Sequence, residues 1–229
     1  DTFITVPSHN LPHLRMKKED RAVLSRLEGL LDTGKMNRAF RSLAQASDID
    51  VLTGIRVDTV EVSNGNCDLQ ISTLGREAGA IHPKRLLIAT NALAAGLIPE
   101  LDVQPAINHV LVTDRIPAFH FPHAVHIDAG YVYARPIEDR MLIGGGRHWG
   151  LDESATRERL SSLLGALWPA TKTAGIAYEW SGQLGIGEDR SPIVKRLAPN
   201  AIGAVRLGGM GVAIGMEVGR LAIEKLTTN

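Results

Sequence analysis

The 229-residue sequence is poor in cysteine and aromatic residues, and it carries no net charge. Its one cysteine, Cys67, excludes an internal disulfide framework and is typical of a reducing compartment, so we expect a cytoplasmic protein. The 25 basic residues balance the 25 acidic ones and form no block, which argues against nucleic acid as a partner. The longest apolar stretches are short or interrupted by Arg206 and Glu217, so we expect no membrane span.

Two familiar site patterns are incomplete in this chain. His120, His123 and His126 are spaced by three, but Pro122 disrupts a helical face and no cysteine or carboxylate cluster accompanies them. We therefore predict no metal site. Ser181 lacks the G-x-S-x-G context of a hydrolase nucleophile, which argues against that class of enzyme.

Segments with apolar residues at helical spacing and segments typical of strands follow one another along the chain. The predicted helices are 17–31, 35–47, 153–167 (with Asp152 or Ser154 as its cap) and 212–226. The predicted strands are 51–62, 67–73, 86–90, 107–114, 124–130, 131–136, 141–146 and 201–207, with a hairpin turn at 63–66 and a loop around Trp180. Strands 107–146 predict an antiparallel meander. The whole order predicts a mixed α/β fold with two centres of packing.

The most informative segment is a glycine cluster, Gly208–Gly211, between the last predicted strand and the last predicted helix. A strand that ends in glycines and opens into a helix can present free amides to an anionic group. Only 14 residues follow Gly215, too few for the second strand of a dinucleotide-binding βαβ unit. Gly211, Gly215 and Gly219 share one helix face, which predicts close packing there and severe destabilisation by Gly215→Leu.

Four segments together resemble the D-amino-acid-oxidase-like family of FAD-dependent amine oxidoreductases, which includes glycine, sarcosine and γ-glutamylputrescine oxidases. The resemblance extends over about residues 30–229, including the stretch 32–75. Its four segments are LLIATNA (86–92), YVYARPIEDRMLIGGG (131–146), WSGQLGIGEDRSPIV (180–194) and GGMGVAIGMEVGRLAIEKL (208–226). The family's initial strand, G-x-G-x-x-G and helix are absent from this sequence. The simplest expectation is that the chain is the C-terminal portion of a longer enzyme.

The resemblance implies an α/β (α+β mixed) fold with a partial FAD-binding Rossmann-like domain and an antiparallel-sheet substrate domain. We assign 32–104 and 181–229 to the remainder of the FAD-binding domain and 105–180 to the substrate domain, preceded by a helical segment, 1–31. The implied function is oxidation of a C–N bond of an amine or amino acid, by hydride transfer to non-covalent FAD. Without its missing portion, we expect this piece to be inactive.

The resemblance also implies site residues. Arg135 would hold a substrate carboxylate, since a guanidinium matches that group in a bidentate manner, and Tyr133 would line the same pocket. Thr90, Asn91 and Ala92 would lie along the cofactor. Gly208, Gly209, Met210 and Gly211 would place helix amides at the flavin ring, where reduction adds negative charge.

Some alternatives remain open at this point. Met210 stands where some relatives carry His or Lys and cannot serve as acid, base or cation, which argues against efficient oxidase activity and leaves a dehydrogenase open. Arg135 could instead be a surface arginine, and the glycine cluster an ordinary turn. The chain could also be a cofactor-free binding domain, or a half-enzyme completed by a separate FAD-binding chain.

Overall fold

The computed structural model describes residues 2–7, 10–11, 14–16, 20–63 and 65–228 as a mixed α/β fold. The helices are α1 (Thr33–Ala46), α2 (Ala94–Leu97), α3 (Glu153–Leu167) and α4 (Gly211–Thr227). The strands are β1 (Phe3–Pro7), β2 (Arg21–Ser25), β3 (Ile55–Ser63), β4 (Asn66–Thr73), β5 (Arg76–Ile81), β6 (Leu86–Ile88), β7 (Gln104–Thr113), β8 (Val125–Ile127), β9 (Val132–Ile137), β10 (Arg140–Gly145), β11 (Ile176–Ile186), β12 (Ile193–Ala198) and β13 (Ala201–Val205).

The chain divides into two compact units. The first unit comprises residues 1–31 and 107–182, and the second unit comprises 32–106 and 183–229. What each unit binds, including the assignment of 32–104 and 181–229 to FAD and of 105–180 to substrate, stays a prediction.

A five-stranded sheet with strand order β11-β7-β10-β9-β8 dominates the first unit. One face of the sheet packs against α3, where Val132 and Ala134 of β9 join Leu160, Leu164 and Trp168 in a buried core. The N-cap of α3 is Asp152, whose carboxylate accepts a hydrogen bond from the Ala155 amide at 2.8 Å. The predicted meander is confirmed only for β8, β9 and β10, because β7 pairs with β10 and not with β8.

The second unit contains two three-stranded sheets, β12-β13-β6 and β3-β4-β5. Strand β13 runs parallel to β6 and antiparallel to β12. Helix α4 packs Val218 and Ala222 against Ile202 and Ala204 of β13, so the predicted strand–turn–helix at the end of the chain is confirmed. The predicted hairpin is also confirmed, since Ser63 pairs with Asn66, although Asn64 of its turn lies outside the described residues.

The prediction of a helix over 17–31 is wrong for the described residues 20–31. Residues 21–25 instead form β2, which pairs antiparallel with β1 in the register Phe3↔Ser25. The leucines that suggested a helix are not buried on one face, since Leu27, Leu30 and Leu31 are all exposed. Backbone pairing with a distant strand outweighs this local spacing. Residues 17–19 lie outside the described part of the chain.

The prediction that the glycines of α4 pack closely against another element is also wrong. Apart from the backbone of α4 itself, a Cβ built at Gly215 or Gly219 would meet no atom of the described residues within 4 Å, and one at Gly211 would make only ordinary contact with Leu207, at 3.6 Å. The side of α4 that packs is carried by Val218 and Ala222. Severe destabilisation by Gly215→Leu therefore has no basis in this structure.

Candidate functional site

The Gly208–Gly211 turn joins β13 to α4 in the second unit and is held by two hydrogen bonds. The Leu207 amide donates to Asn91 Oδ1 at 3.1 Å, and the Gly208 amide donates to the Gly185 carbonyl at 3.0 Å. Gly208 has a φ of +55°, a conformation that glycine adopts without the Cβ penalty of other residues. The turn is thus fixed from the backbone of β11 and from the segment after β6.

Arg206 fixes the start of this turn. It is buried, with a left-handed φ of +61°, and its Nη1 lies 2.6 Å from Asp102 Oδ2. Its Nε also donates to the Ser191 carbonyl at 3.0 Å. A Cβ at Gly187 would come within 2.7 Å of Arg206 Cδ, so glycine is needed there. This role was not predicted from the sequence, although an arginine inside the otherwise apolar run 201–207 was an available signal.

Helix α4 begins at this turn without a side-chain cap. Met210 occupies the N-cap position, makes no capping hydrogen bond and is 59% exposed. The first amides of a helix lack acceptors within the helix and carry partial positive charge. A Cβ at Gly208 or Gly209 would meet no described residue within 4 Å other than its chain neighbours, so this part of the structure leaves room beside the turn. The turn can accommodate a flat group with negative charge at its edge.

The predicted contacts at 90–92 are only partly available to a ligand. Asn91 uses its side-chain oxygen for the Leu207 amide and has a left-handed φ of +48°. Ala92 is 4% exposed, while Thr90 is exposed. The structure therefore gives Asn91 a role in holding the glycine turn, and the proposed cofactor contact of all three residues stays a prediction.

Tyr133 and Arg135 lie on the face of the five-stranded sheet opposite to α3. Their neighbours across the strands are given by the register: Gly144 stands between Tyr133 and Val110, and Leu142 stands between Arg135 and Val112. Val110, Val112 and Leu142 are buried against Tyr133. We call the surface formed by Val110, Val112, Tyr133, Arg135 and Leu142 the tyrosine face.

Gly144 allows the Tyr133 ring to lie close to the sheet. A Cβ at Gly144 would stand 2.5 Å from Tyr133 Oη, so any other residue would displace the ring. Burial raises the pKa of the Tyr133 hydroxyl, and the positive charges of Arg135 and Arg147 partly oppose that shift. Tyr133 is therefore a neutral hydrogen-bonding group beside two guanidinium groups.

Those two arginines are placed differently. Arg135 Nη1 donates to the Leu31 carbonyl at 3.3 Å, a long bond that leaves most of the guanidinium donors for other partners. The guanidinium carbon of Arg147 lies 4.6 Å from the centre of the Tyr131 ring. Arg147 was not predicted from the sequence, because an arginine that follows three glycines has no distinguishing local pattern.

An Asp–His pair lies beside Tyr131. His148 Nε2 and Asp128 Oδ2 are 2.6 Å apart, and the His148 ring stacks on Tyr131 with centres 4.3 Å apart. Trp149 Nε1 donates to the same carboxylate oxygen at 3.3 Å. The bonds from His148 and then Trp149 lower the pKa of Asp128. This cluster braces the turn that leads into β9.

Two cavities lie away from the predicted site residues. One of about 790 Å³ is lined by residues of β3, β4 and β5, and one of about 440 Å³ by α3 and residues 171–176. Neither includes a predicted site residue. Across the described ranges, no group of three or more His, Cys, Asp or Glu could hold a metal ion. No helix in the described part of the chain is long and apolar enough to cross a membrane.

Solved structures of two oxidases and a dehydrogenase share this fold. A glycine oxidase from Geobacillus kaustophilus has a TM-score of 0.82 at 17% identity, covering 98% of this chain and 62% of that protein. An L-proline dehydrogenase from P. horikoshii has a TM-score of 0.79 at 17% identity, with coverages of 98% and 64%. An iminodiacetate oxidase from Chelativorans sp. BNC1 has a TM-score of 0.77 at 17% identity, with coverages of 96% and 62%.

The chain thus spans less than two thirds of each of these three proteins. No curated protein sequence matches it. The model of a protein family, described as FAD dependent oxidoreductase (DAO), matches residues 10–225, which is nearly the whole chain. The chain therefore belongs to the DAO family of FAD-dependent oxidoreductases.

Proposed function

We propose that the chain contributes to the oxidation of a C–N bond of an amino acid or a related amine by hydride transfer to FAD. The observation that carries the proposal is the tyrosine face, where Arg135 shares a strand with the half-buried, neutral phenol of Tyr133. The positive charges of Arg135 and of nearby Arg147 both act on that phenol. Such a face suits a small molecule with a carboxylate. The neighbours support the amino-acid class, because they include a glycine oxidase and an L-proline dehydrogenase.

The glycine turn fits the ring end of the cofactor. When bound, FAD supplies the two-electron acceptor for the hydride. The uncapped amides of α4 would face the edge of the ring that becomes negative, and their partial positive charge would stabilise it. Open space beside Gly208 and Gly209 permits this approach. The contacts from Asn91 and Arg206 hold the turn in place before any ligand arrives.

The remaining roles belong to the tyrosine face. Arg135 would bind the substrate carboxylate, and Tyr133 would line the site and donate a hydrogen bond. Hydride transfer from an amine carbon needs alignment and a deprotonated amine, with no further base from the enzyme. Met210, at the N-cap of α4, supplies no acid or base, which is compatible with this mechanism.

The test is anaerobic reduction of the flavin-loaded protein. Glycine and L-proline are added separately without oxygen, and the flavin absorbance near its visible maximum is followed. We expect bleaching with at least one amino acid and none with propionate or cyclopentanecarboxylate, which have carbon in place of the amine nitrogen. A flavin-loaded protein that no amino acid or amine bleaches would refute the proposed reaction.

A second candidate is a half-enzyme completed by a separate FAD-binding chain. One observation favours it: α1 contains no buried residue, although its sequence is amphipathic. Phe40 and Leu43 are 42% and 62% exposed on this helix. When the protein is loaded with FAD for that experiment, this candidate predicts that a complex of two chains retains FAD and that the present chain alone does not.

A further inference from the structure

Asn108 in β7 is a buried polar residue whose side-chain oxygen lacks a hydrogen-bond donor in the described part of the chain. Its exposed fraction is 7%, and its side-chain Oδ1 has no hydrogen-bond partner among the described residues. A buried acceptor without a donor costs free energy, so folded proteins keep few of them. Such an atom is a candidate for contact with a ligand that brings its own donor.

The sheet register places Asn108 on the tyrosine face. Side chains alternate along a strand, so Asn108 points to the same side as Val110 and Val112. Val110 lies in one row with Gly144 and Tyr133. Asn108 lies two residues before Val110, about 7 Å along the strand. It therefore extends the face beyond the row of Tyr133, on the side away from Arg135.

Asn108 offers an acceptor, which the two arginines near this surface lack. Arg135 and Arg147 can only donate hydrogen bonds. They suit a carboxylate but repel an ammonium group. The unpaired Oδ1 of Asn108 is an acceptor, and an amine is a donor. The amide is also uncharged, so it can bind a neutral amine without favouring its protonated form, as a carboxylate would. Hydride transfer requires that neutral form.

We propose that Asn108 binds the amine nitrogen of the substrate through Oδ1, and so selects amino acids over carboxylic acids of the same shape. The inference rests on the proposed function, in which the arginines of this surface bind the carboxylate. It makes Asn108 the residue that orients the C–N bond and the arginines the residues that anchor the opposite end.

The test compares two matched pairs of probes, glycine with propionate and L-proline with cyclopentanecarboxylate. Binding to the flavin-loaded protein is measured by calorimetry and by the change in flavin absorbance. We expect the natural protein to prefer one amino acid over its partner. Asn108→Leu should reduce that preference by about tenfold, the usual value of one hydrogen bond. Its affinity for the carboxylic acid should stay unchanged.

Two further variants separate this role from a structural one. His109→Leu alters the opposite face of the same strand and should leave the preference intact. Asn108→Asp should shift the pH profile of flavin reduction upward, because a carboxylate stabilises the protonated amine. Asn108→Asp also tests the contact with the amine if Asn108→Leu does not fold. If Asn108 had only a structural role, Asn108→Asp would leave the pH profile unchanged.

The outcomes separate the inference from the proposed function. Equal binding of both members of each pair by the natural protein would overturn the role of Asn108 and leave the arginine anchor standing. An amino-acid preference that survives Asn108→Leu would overturn it as well. Binding of neither member of either pair would overturn both the carboxylate anchor and the inference built on it.

Discussion

Individual side chains on the tyrosine face differ in what they offer a ligand. Tyr133 is held near the sheet by the absence of a Cβ at Gly144, and burial keeps its hydroxyl protonated. Arg135 donates one long hydrogen bond to the Leu31 carbonyl. The sequence motif singled out Tyr133 and Arg135, whereas Asn108 and Arg147 have no motif. Their relevance depends on strand register, which local sequence does not specify for a pair as distant as β7 and β10.

Replacement of Arg135 tests the carboxylate anchor. Arg135→Leu should raise KM for the amino acid by about 10- to 100-fold, because charge-assisted hydrogen bonds contribute about 1.5–3 kcal/mol. We expect little change in kcat, and Arg135→Lys should recover only part of the loss because lysine cannot bind in a bidentate manner.

Steady-state kinetics of both variants provide the measurement, with Arg115→Leu as the control. Arg115 pairs with Asp139 and is 64% exposed at its side chain, so its loss should leave KM unchanged. An unchanged KM in Arg135→Leu would assign the anchor to another residue.

At the scale of elements, local sequence predicts those helices and strands whose ends carry their own signals. Helix α3 begins at Glu153 with Asp152, one of the two predicted caps, as its N-cap, and the strand and helix around Gly208–Gly211 are confirmed. Strands β5, β11 and β12 were missed. In β11 the exposed residues, such as Trp180, hide the alternation of a half-buried strand. The prediction of a helix near the N-terminus was wrong for a related reason, since residues 21–25 form a strand only by pairing with β1.

The turn between β13 and α4 depends on Arg206. Arg206→Ala should lower the free energy of unfolding by about 2 kcal/mol, because it leaves the Ser191 and Asp102 carbonyls without their donor. Arg206→Gly should be more stable than the alanine variant by about 1 kcal/mol, since glycine accepts the left-handed backbone at this position.

Chemical denaturation of both variants measures the two differences. An alanine variant as stable as the natural protein would show that the ion pair with Asp102 and the bond to Ser191 contribute nothing to the turn.

The glycines of α4 should tolerate larger residues. Gly215→Ala is expected to raise the free energy of unfolding by about 0.5–1 kcal/mol, because glycine weakens a helix interior and, apart from the backbone of α4 itself, no described atom lies within 4 Å of the new Cβ. Gly203→Ala in β13 is the matched contrast, since its Cβ would come within 2.9 Å of Leu101 Cδ1.

Thermal unfolding of the two variants should therefore move in opposite directions. A fall in melting temperature for Gly215→Ala would mean that another polypeptide covers this side of α4.

At the scale of the whole molecule, the chain matches its family over nearly all of its length but spans only part of the related enzymes. The family model covers residues 10–225, yet the chain spans 62% of the glycine oxidase it matches. The amphipathic helix α1 buries none of its residues, and Leu43 is 62% exposed. Whether FAD is retained by this chain alone or by a complex is therefore the experiment with the widest consequence.

Gly144 has a consequence for how this molecule could change over generations. The depth at which the Tyr133 ring lies depends on one missing carbon atom, since a Cβ there would stand 2.5 Å from the phenol oxygen. A single base change converts a glycine codon into one for alanine. One mutational step could therefore lift the ring and reshape the tyrosine face without changing a charged group. Under the proposed function, the size of the accepted substrate would change while the groups that recognise it are inherited intact.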